Sequence, residues 1–532
     1  MEYHLRSLHE CDLVEPALSY SSTHHPIYHL VAEAGARFEE IKNRQSKSLA
    51  EAVMEYKRRY GRPPPPGFDD WYRFAVENKV QLIDEYDYMT NSLEPYWKMP
   101  ARVLKEYVDQ ALSLDNTRLN TLTVKNKEAK LSGGSFQHAQ LVKLIQPIVH
   151  LLPDFKAPLN EPDEPRILTP HDSVYSDASY VAGHPDVQAQ PITFSTQHQQ
   201  IVWNSITLPC APNSLARSSL IPRPTSSKIP FVINITQSQD LCLHPATFST
   251  QHGYLSSPST FSYTPNLVPI LSTAKLSTFS DIMIPSSYYF QSDISSYDET
   301  SDVQWDQKKD IVYWRGSGTG GHWTHGSWKM GHRQRFVNFT NTPSAPISLL
   351  RKAGDGKTDG EQWSEYQTTM AELKDKFLVK FSGFIQCDDE DCKAEEDFFG
   401  KAEKDKNNDA NAYKILYNLD GNSFSGRYYR FLKSNSLIFM QALFKEWHDD
   451  RILPWVHFVP ISVGMEELGE TARYFLDDEE GKRVAETLAM ESKTWARKTL
   501  REVDLTAAYF RVFLEYTRLL NDERDSMVCC SV

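Results

Sequence analysis

An α/β fold organised on a parallel sheet is the architecture this sequence predicts, on three observations. Residues 411–461 read as strand, tight turn, helix and strand; a second strand-like run, Asp310–Trp314, ends in a glycine-rich turn; and Met465–Leu520 reads as successive helical segments. Parallel strands need a crossover of a dozen or more residues, usually a helix, so strand–helix–strand order favours a parallel sheet.

Taking 411–461 in order, Tyr413–Leu419 is an apolar run of strand length, and Asp420-Gly421-Asn422-Ser423 is a set of turn formers. From Ser425 to Phe444 the apolar residues Tyr428, Phe431, Leu432, Leu437, Ile438 and Leu443 recur at roughly helical spacing, and Trp455–Pro460 reads as a buried strand. Asn422, Ser423, Ser425 and Gly426 precede the helix, with Arg427 in or near its first turn. A helix N-terminus suits a phosphate, and its dipole alone favours an acid there, so an arginine makes sense with an anion in front of it. The competing reading pairs Arg427 with a carboxylate such as Asp420.

Composition bounds the rest. The 532 residues suffice for two or three domains, and 40% hydrophobic with 12% aromatic content is globular. A net charge of −13 and a pI near 5.7 argue against a nucleic-acid partner held by phosphate contacts. No run approaches the ~18 apolar residues of a membrane span, and the first residues show no secretory signal pattern. Of seven cysteines, Cys387 and Cys392 bracket an acidic loop and suit a local bridge or a metal, although no second Cys/His pair has zinc spacing. Cys210 and Cys242 are the other plausible partners, and the terminal Cys529-Cys530-Ser531-Val532 reads as a frayed tail rather than a prenylation box.

Along the chain, residues 1–25 are expected to be unstructured, and 29–60 to form one or two surface helices ended by Pro63–Pro66. A helix with an acid cap follows Gly67, and 101–145 is helical or mixed. Residues 151–290, rich in Ser, Thr and Pro, predict short strands and long loops, and 361–406 predicts a solvated helix and loop.

Two further constellations carry chemistry. Gly316, Gly318 and Gly321 meet the G-x-G-x-x-G spacing of a dinucleotide fold, but no acid follows ~20 residues on to hold a ribose. Arg315 and Ser317 at the turn suggest instead a pyrophosphate clamp of side chain and backbone; the alternative is a surface loop with an ordinary arginine. In NEPDEPRIL, Asp163 sits among prolines after a possible strand end, a candidate rigid general base, or else a turn former beside Arg166.

These motifs together resemble glycosyltransferase family 90, the fungal capsule-associated β-1,2-xylosyltransferase-like proteins whose animal relatives are the protein O-glucosyltransferases. The resemblance runs from about His25 to Leu520 and rests on RQSKSLAEAVMEYKRRYGRPPPPGFDDWYRFA, NEPDEPRIL, LCLHP, LSTAKLSTFSDIMIPSSYYF, DIVYWRGSGTGGHW with GHRQRFV, and the 411–461 stretch. It implies a GT-B-like α/β architecture, two Rossmann-like domains facing across a cleft with helical N- and C-terminal additions. The implied divisions are a stem and connector over 1–66, an acceptor-side domain with the base over 67–295, a UDP-sugar domain over 296–480, and C-terminal helices and tail over 481–532.

The resemblance also implies an inverting transferase with no cofactor and no metal; Asp389-Glu390-Asp391, the notable D-x-D spelling, lies in the cysteine-bracketed loop and is not assigned one. Asp163 matches the catalytic base. Arg315 and Arg427 match the arginines gripping the diphosphate, with Gly316 and Ser317 beside the first. Asn422, Ser423, Phe424, Ser425 and Gly426 match the segment wrapping the donor, and Pro285 a stretch near the donor sugar. The implied partners are a UDP-sugar, xylose foremost, and a mannose-containing glycan or polysaccharide. Family members work in the secretory pathway, here the Golgi lumen, many with a membrane anchor; with neither signal nor span visible, the natural start is expected to lie upstream. Sequons at Asn234 and Asn338 are compatible with a luminal life. The alternatives are an O-glucosyltransferase with a protein acceptor, a silent glycan- or UDP-binding relative, and formally a nicotinamide dehydrogenase.

Overall fold

The computed structural model describes residues 20–134, 138–175, 188–218, 228–290, 295–352, 362–406 and 408–529. Two five-stranded sheets dominate it. The first is mixed: Glu128–Ser132, Leu119–Lys125, Phe155–Asn160, Leu271–Ser272 and Ile282–Met283 lie in that order, the first three antiparallel to their neighbours and the last pairs parallel. Its hairpin follows from Asn126 and Lys127, both at positive φ (51° and 65°), the backbone a two-residue primed turn requires. This half is thus a mixed sheet, parallel through its last three strands and ended by an antiparallel hairpin.

The second sheet is wholly parallel, in the order Phe377–Gly383, Lys309–Ser317, Tyr413–Leu419, Leu437–Gln441 and Val459–Pro460. Both faces are covered, as a parallel sheet needs. Tyr313, Leu416, Ile438 and Met440 enter one core with the first sheet, while Val312, Trp314, Tyr417 and Phe439 enter another under the helices Leu468–Asp477 and Glu479–Thr499.

The strand Tyr413–Leu419 has the predicted bounds, but 425–444 is not one helix: the helix is Tyr428–Leu432, and Leu437–Gln441 is a strand buried at every position. A short apolar run fits either period, and Ser434-Asn435-Ser436 breaks the helix first. The Trp455–Pro460 strand contracts to Val459–Pro460. In 361–406, the strands Trp363–Thr369 and Phe377–Gly383 precede the helix Asp389–Phe399. Lysines and acids between them hide the alternation that buries Val379 and Phe381.

At the start, Tyr20 and His25 are buried, so order begins before the predicted 25; His25 bonds Glu470 at 2.8 Å and caps the helix Pro26–Asn43 through Ile27 N. Residues 1–19 lie outside the described ones. A second helix, Leu49–Tyr60, follows, then Phe68–Glu77, which has Asp69 and Asp70 in its first turn but Gly67, at φ 83°, in place of the expected acid cap. The cysteine pairs resolve as the bridges Cys210–Cys242 and Cys387–Cys392. Cys529 is not frayed: it is buried, disulfide-bonded, and its N–H donates to Pro64 O at 3.2 Å.

The last helix, Glu502–Leu519, returns to the first half of the chain and is buried almost throughout. Ala507 O accepts from Trp71 Nε1 at 3.0 Å, Thr506 Oγ1 donates to Leu144 O at 2.8 Å, and Tyr516 OH donates to Pro269 O at 3.2 Å. No helix among the described residues is long and apolar enough to cross a membrane.

Candidate active site

In the parallel sheet the strand that comes second in sequence lies on one side of Lys309–Ser317 and the third, Tyr413–Leu419, on the other. The chain thus leaves these two central strands in opposite directions, and a crevice opens beyond their carboxyl ends, where open α/β sheets bind ligands. Arg315, Gly316 and Ser317 close the first strand, and Asp420–Arg427 follow the second. Arg427 Nη1 donates to Arg315 O at 2.6 Å and joins the two predicted segments.

A cavity of about 340 Å³ occupies the crevice, lined by Arg315, Ser317, Lys404, Asp405, Arg427 and Arg430 among others. Arg315 Nη1 donates to Asp405 Oδ1 at 2.8 Å and to Glu403 O at 3.2 Å. The carboxylate suggested for Arg427 does not meet it: Asp420 accepts instead from the N–H groups of Leu443 and Phe444. The helix at Arg427 spans only Tyr428–Leu432, so the predicted phosphate-facing helix end is one turn, with Arg427 as its N-cap.

The remaining predicted residues stand around the cavity rather than in its lining. Gly316 lies over its neighbour's indole: a Cβ there would come within 2.7 Å of Trp314 Cζ2. At Gly426 a Cβ would come within 2.3 Å of the Tyr288 ring, so only glycine lets these segments meet. Phe424 packs on Tyr289 at 5.5 Å, Tyr289 OH donates to Ser425 O at 3.4 Å, and Ser423 is buried. Asn422 Oδ1 accepts from Ser259 Oγ at 3.5 Å. Pro285 is a buried backing residue whose carbonyl accepts from Tyr509 OH at 2.6 Å.

Arg333 is the residue missed from the sequence. It opens the helix His332–Asn341, donates through Nη1 to Ser317 O at 3.0 Å and Thr319 Oγ1 at 2.8 Å, and through Nε to Asp420 O at 2.8 Å. It thereby clamps both crevice loops. Burial, with Arg427 adding to it, pushes its pKa down to about 9. The signal was present in GHRQRFV, but the loop between Gly321 and the helix separates it from the glycine turn. That separation also argues against the dinucleotide fingerprint, whose third glycine packs where the helix begins.

Asp163 lies in the turn that ends the strand Phe155–Asn160 of the mixed sheet. Asn160 Nδ2 pins the turn by donating to Pro162 O at 3.2 Å and Glu164 O at 2.7 Å, and Asp281 holds its far side through Arg166 N and Ile167 N at 2.9 and 2.7 Å. Glu164 is buried, and burial, then the adjacent Asp163, raises its carboxyl. Glu164 also interacts with the backbone of Thr260, next to the Ser259 that bonds Asn422. The base candidate and the donor-loop candidates are thus joined through one short segment.

Behind the crevice, His332 stacks on His252 at 3.9 Å and its Nε2 shares a hydrogen bond with Asp420 O at 2.9 Å. Asp420 is fully enclosed, and burial raises its carboxyl to about 7. Between the ordinary carboxylate pKa and that value the folded protein keeps a proton the unfolded chain releases, so this group lowers stability as pH rises. Asp420→Asn removes the slope: relative to wild type, its urea midpoint is expected to improve from pH ~4 to pH ~7.5, and a pH-independent difference would refute the assignment.

Among the described residues no group of three or more His, Cys, Asp or Glu side chains is placed to hold a metal ion. Asp389–Asp391 form the first turn of a helix, where Asp391 Oδ1 accepts from Gly326 N at 2.7 Å.

The parallel sheet and the arginine-lined crevice beyond its central strands define an α/β protein with a cationic cavity at its switch point. The resemblance to glycosyltransferase family 90 holds in direct comparison: residues 365–526 match the model described as Glycosyl transferase family 90. The chain is similar to Protein O-glucosyltransferase 3 of Rattus norvegicus, 32% identical over 106 residues, 20% of each chain. It is also similar to Protein O-glucosyltransferase 1 of Homo sapiens, 23% identical over 269 residues, 48% of this chain and 58% of the relative. The chain thus spans about a fifth of one curated relative and under three fifths of the other.

Proposed function

We propose that this protein is an inverting glycosyltransferase that moves a sugar, foremost xylose, from a UDP-sugar to a hydroxyl of a mannose-containing glycan or polysaccharide. The observation that carries the reading is the crevice itself: Arg333 and Arg427 hold its loops with carbonyl and hydroxyl oxygens as their hydrogen-bond partners and, among the described residues, no carboxylate. One of them, Arg427, lines the cavity at the switch point of a parallel sheet, and Arg333 stands behind the loops that frame it, an arrangement that suits a diphosphate. In this reading the two sheets are the halves of a GT-B-like cleft, with Asp163 on the acceptor side.

The acceptor oxygen attacks the anomeric carbon as the bond from that carbon to the phosphate oxygen breaks. Asp163 takes the acceptor proton, and the electron pair leaves with UDP. Attack opposite the departing group inverts the configuration. Arg333 and Arg427, with Arg315 once it exchanges Asp405 for phosphate, stabilise the charge growing on the leaving group, the kind of fixed electrostatics that supplies most of such rate enhancements. No metal is part of the proposal. A secretory location is proposed too, supported by two disulfides of the kind that persist in oxidising compartments. A second reading, transfer of glucose to a protein acceptor, is favoured by the names of the similar proteins.

The test is UDP release from UDP-xylose, UDP-glucose and UDP-glucuronic acid, with and without mannan, and with EDTA. Release from one donor, raised by mannan and untouched by EDTA, is the expected result. Loss on chelation with rescue by manganese would overturn the metal-free reaction. Silence with every donor despite UDP binding would overturn transfer itself.

A further inference from the structure

We infer that Arg430 is a further cation for the donor's diphosphate, beside Arg315, Arg333 and Arg427, an inference that rests on the UDP-sugar reading above. Arg430 follows Arg427 by three residues across one helical turn, so the two share a face. Both line the 340 Å³ cavity with Arg315, Lys404 and Lys406. The single carboxylate in that lining, Asp405, is taken by Arg315 Nη1 at 2.8 Å and by the Tyr313 hydroxyl.

Arg430 is only 6% exposed, yet among the described residues it makes no ion pair and its Nε has no hydrogen-bond partner. It stands 5.3 Å from the Phe431 ring centroid. Burial, then the neighbouring Arg427, pulls its pKa down to about 10. A buried guanidinium beside a like charge, with no ion pair among the described residues and Asp405 acting on it only from a distance, is destabilising, because the lost hydration of its Nε goes unreplaced. The missing counterpart is an anion that enters the cavity. The fork of an arginine matches phosphate oxygens two at a time, and a group beside Arg427 reaches the same anion.

The sign of the stability change separates this role from a structural one. In Arg430→Met the apolar side chain removes the uncompensated charge, so the ligand-free variant is expected to melt above wild type. Its Kd for UDP should rise ~10–100-fold, the worth of one or two charged hydrogen bonds, while UMP, which lacks the β-phosphate, should change less than ~3-fold. Arg430→Lys, which keeps the charge but not the fork, should fall between. The readouts are melting with and without UDP, and titration with UDP, UMP and inorganic pyrophosphate. A variant that melts below wild type and binds UDP as tightly overturns the inference and makes Arg430 a packing residue. If wild type itself binds neither UDP nor pyrophosphate, the diphosphate reading and this inference fall together. If wild type binds and Arg430→Met binds equally well, this inference alone falls.

Discussion

Asp163→Asn is expected to lower transfer by ~10²–10⁴-fold, the usual contribution of a positioned base, with UDP affinity nearly unchanged. The amide matches the carboxylate in size, and the turn is held by Asn160 and Asp281 rather than by the Asp163 side chain alone, so the fold should persist. Glu164 cannot stand in: it is buried, and its carboxyl is raised by that burial. Initial rates with the responsive donor, alongside UDP titration, check this. A variant within ~10-fold of wild type would show that the proton leaves by another route.

Arg427→Ala is expected to weaken both UDP binding and turnover, the latter by ~10²–10³-fold, as loss of one fixed electrostatic donor at a growing charge does. Arg427 faces the cavity and its Nη1 donates to a carbonyl, Arg315 O, so its removal breaks no ion pair among the described residues. A structural arginine would instead leave a carboxylate unpaired and lower the melting temperature. Unchanged UDP affinity, measured by calorimetry, would remove Arg427 from the diphosphate site.

The parts of this fold legible in the sequence are those where local chemistry and tertiary burial agree. Tyr413–Leu419 is apolar at nearly every position because a central parallel strand is covered on both faces, and turn formers end it abruptly. Arg315 and Arg427 were visible because each sits within a few residues of a turn. Leu437–Gln441 reads as helix because four consecutive apolar residues, Leu437 to Met440, carry no period, and the neighbouring helix lends it one. Phe377–Gly383 escaped because an edge strand has polar company on one side. Arg333 escaped for a different reason: its role depends on a helix brought back to the turn across a long loop, and its partners Ser317 and Asp420 are far from it in sequence. Contacts of that kind have no local signature.

The return of the final helix to the first half of the chain governs how this molecule can be made. Phe513 packs on Phe155 at 5.2 Å, and Tyr509, Phe513 and Tyr516 belong to the core shared by the mixed sheet and the N-terminal helices. A ribosome adds ~5–20 residues per second, so the mixed sheet, complete in sequence by Met283, waits on the order of tens of seconds for the helix that closes it. Over that interval Trp71 and Phe155 have no cover from the last helix, and this half of the chain cannot settle first and serve as a template for the other. Completion of the first half is therefore post-translational, with a period of exposed aromatic surface open to chaperones, and a chain stopped at Leu500 would remain in that state.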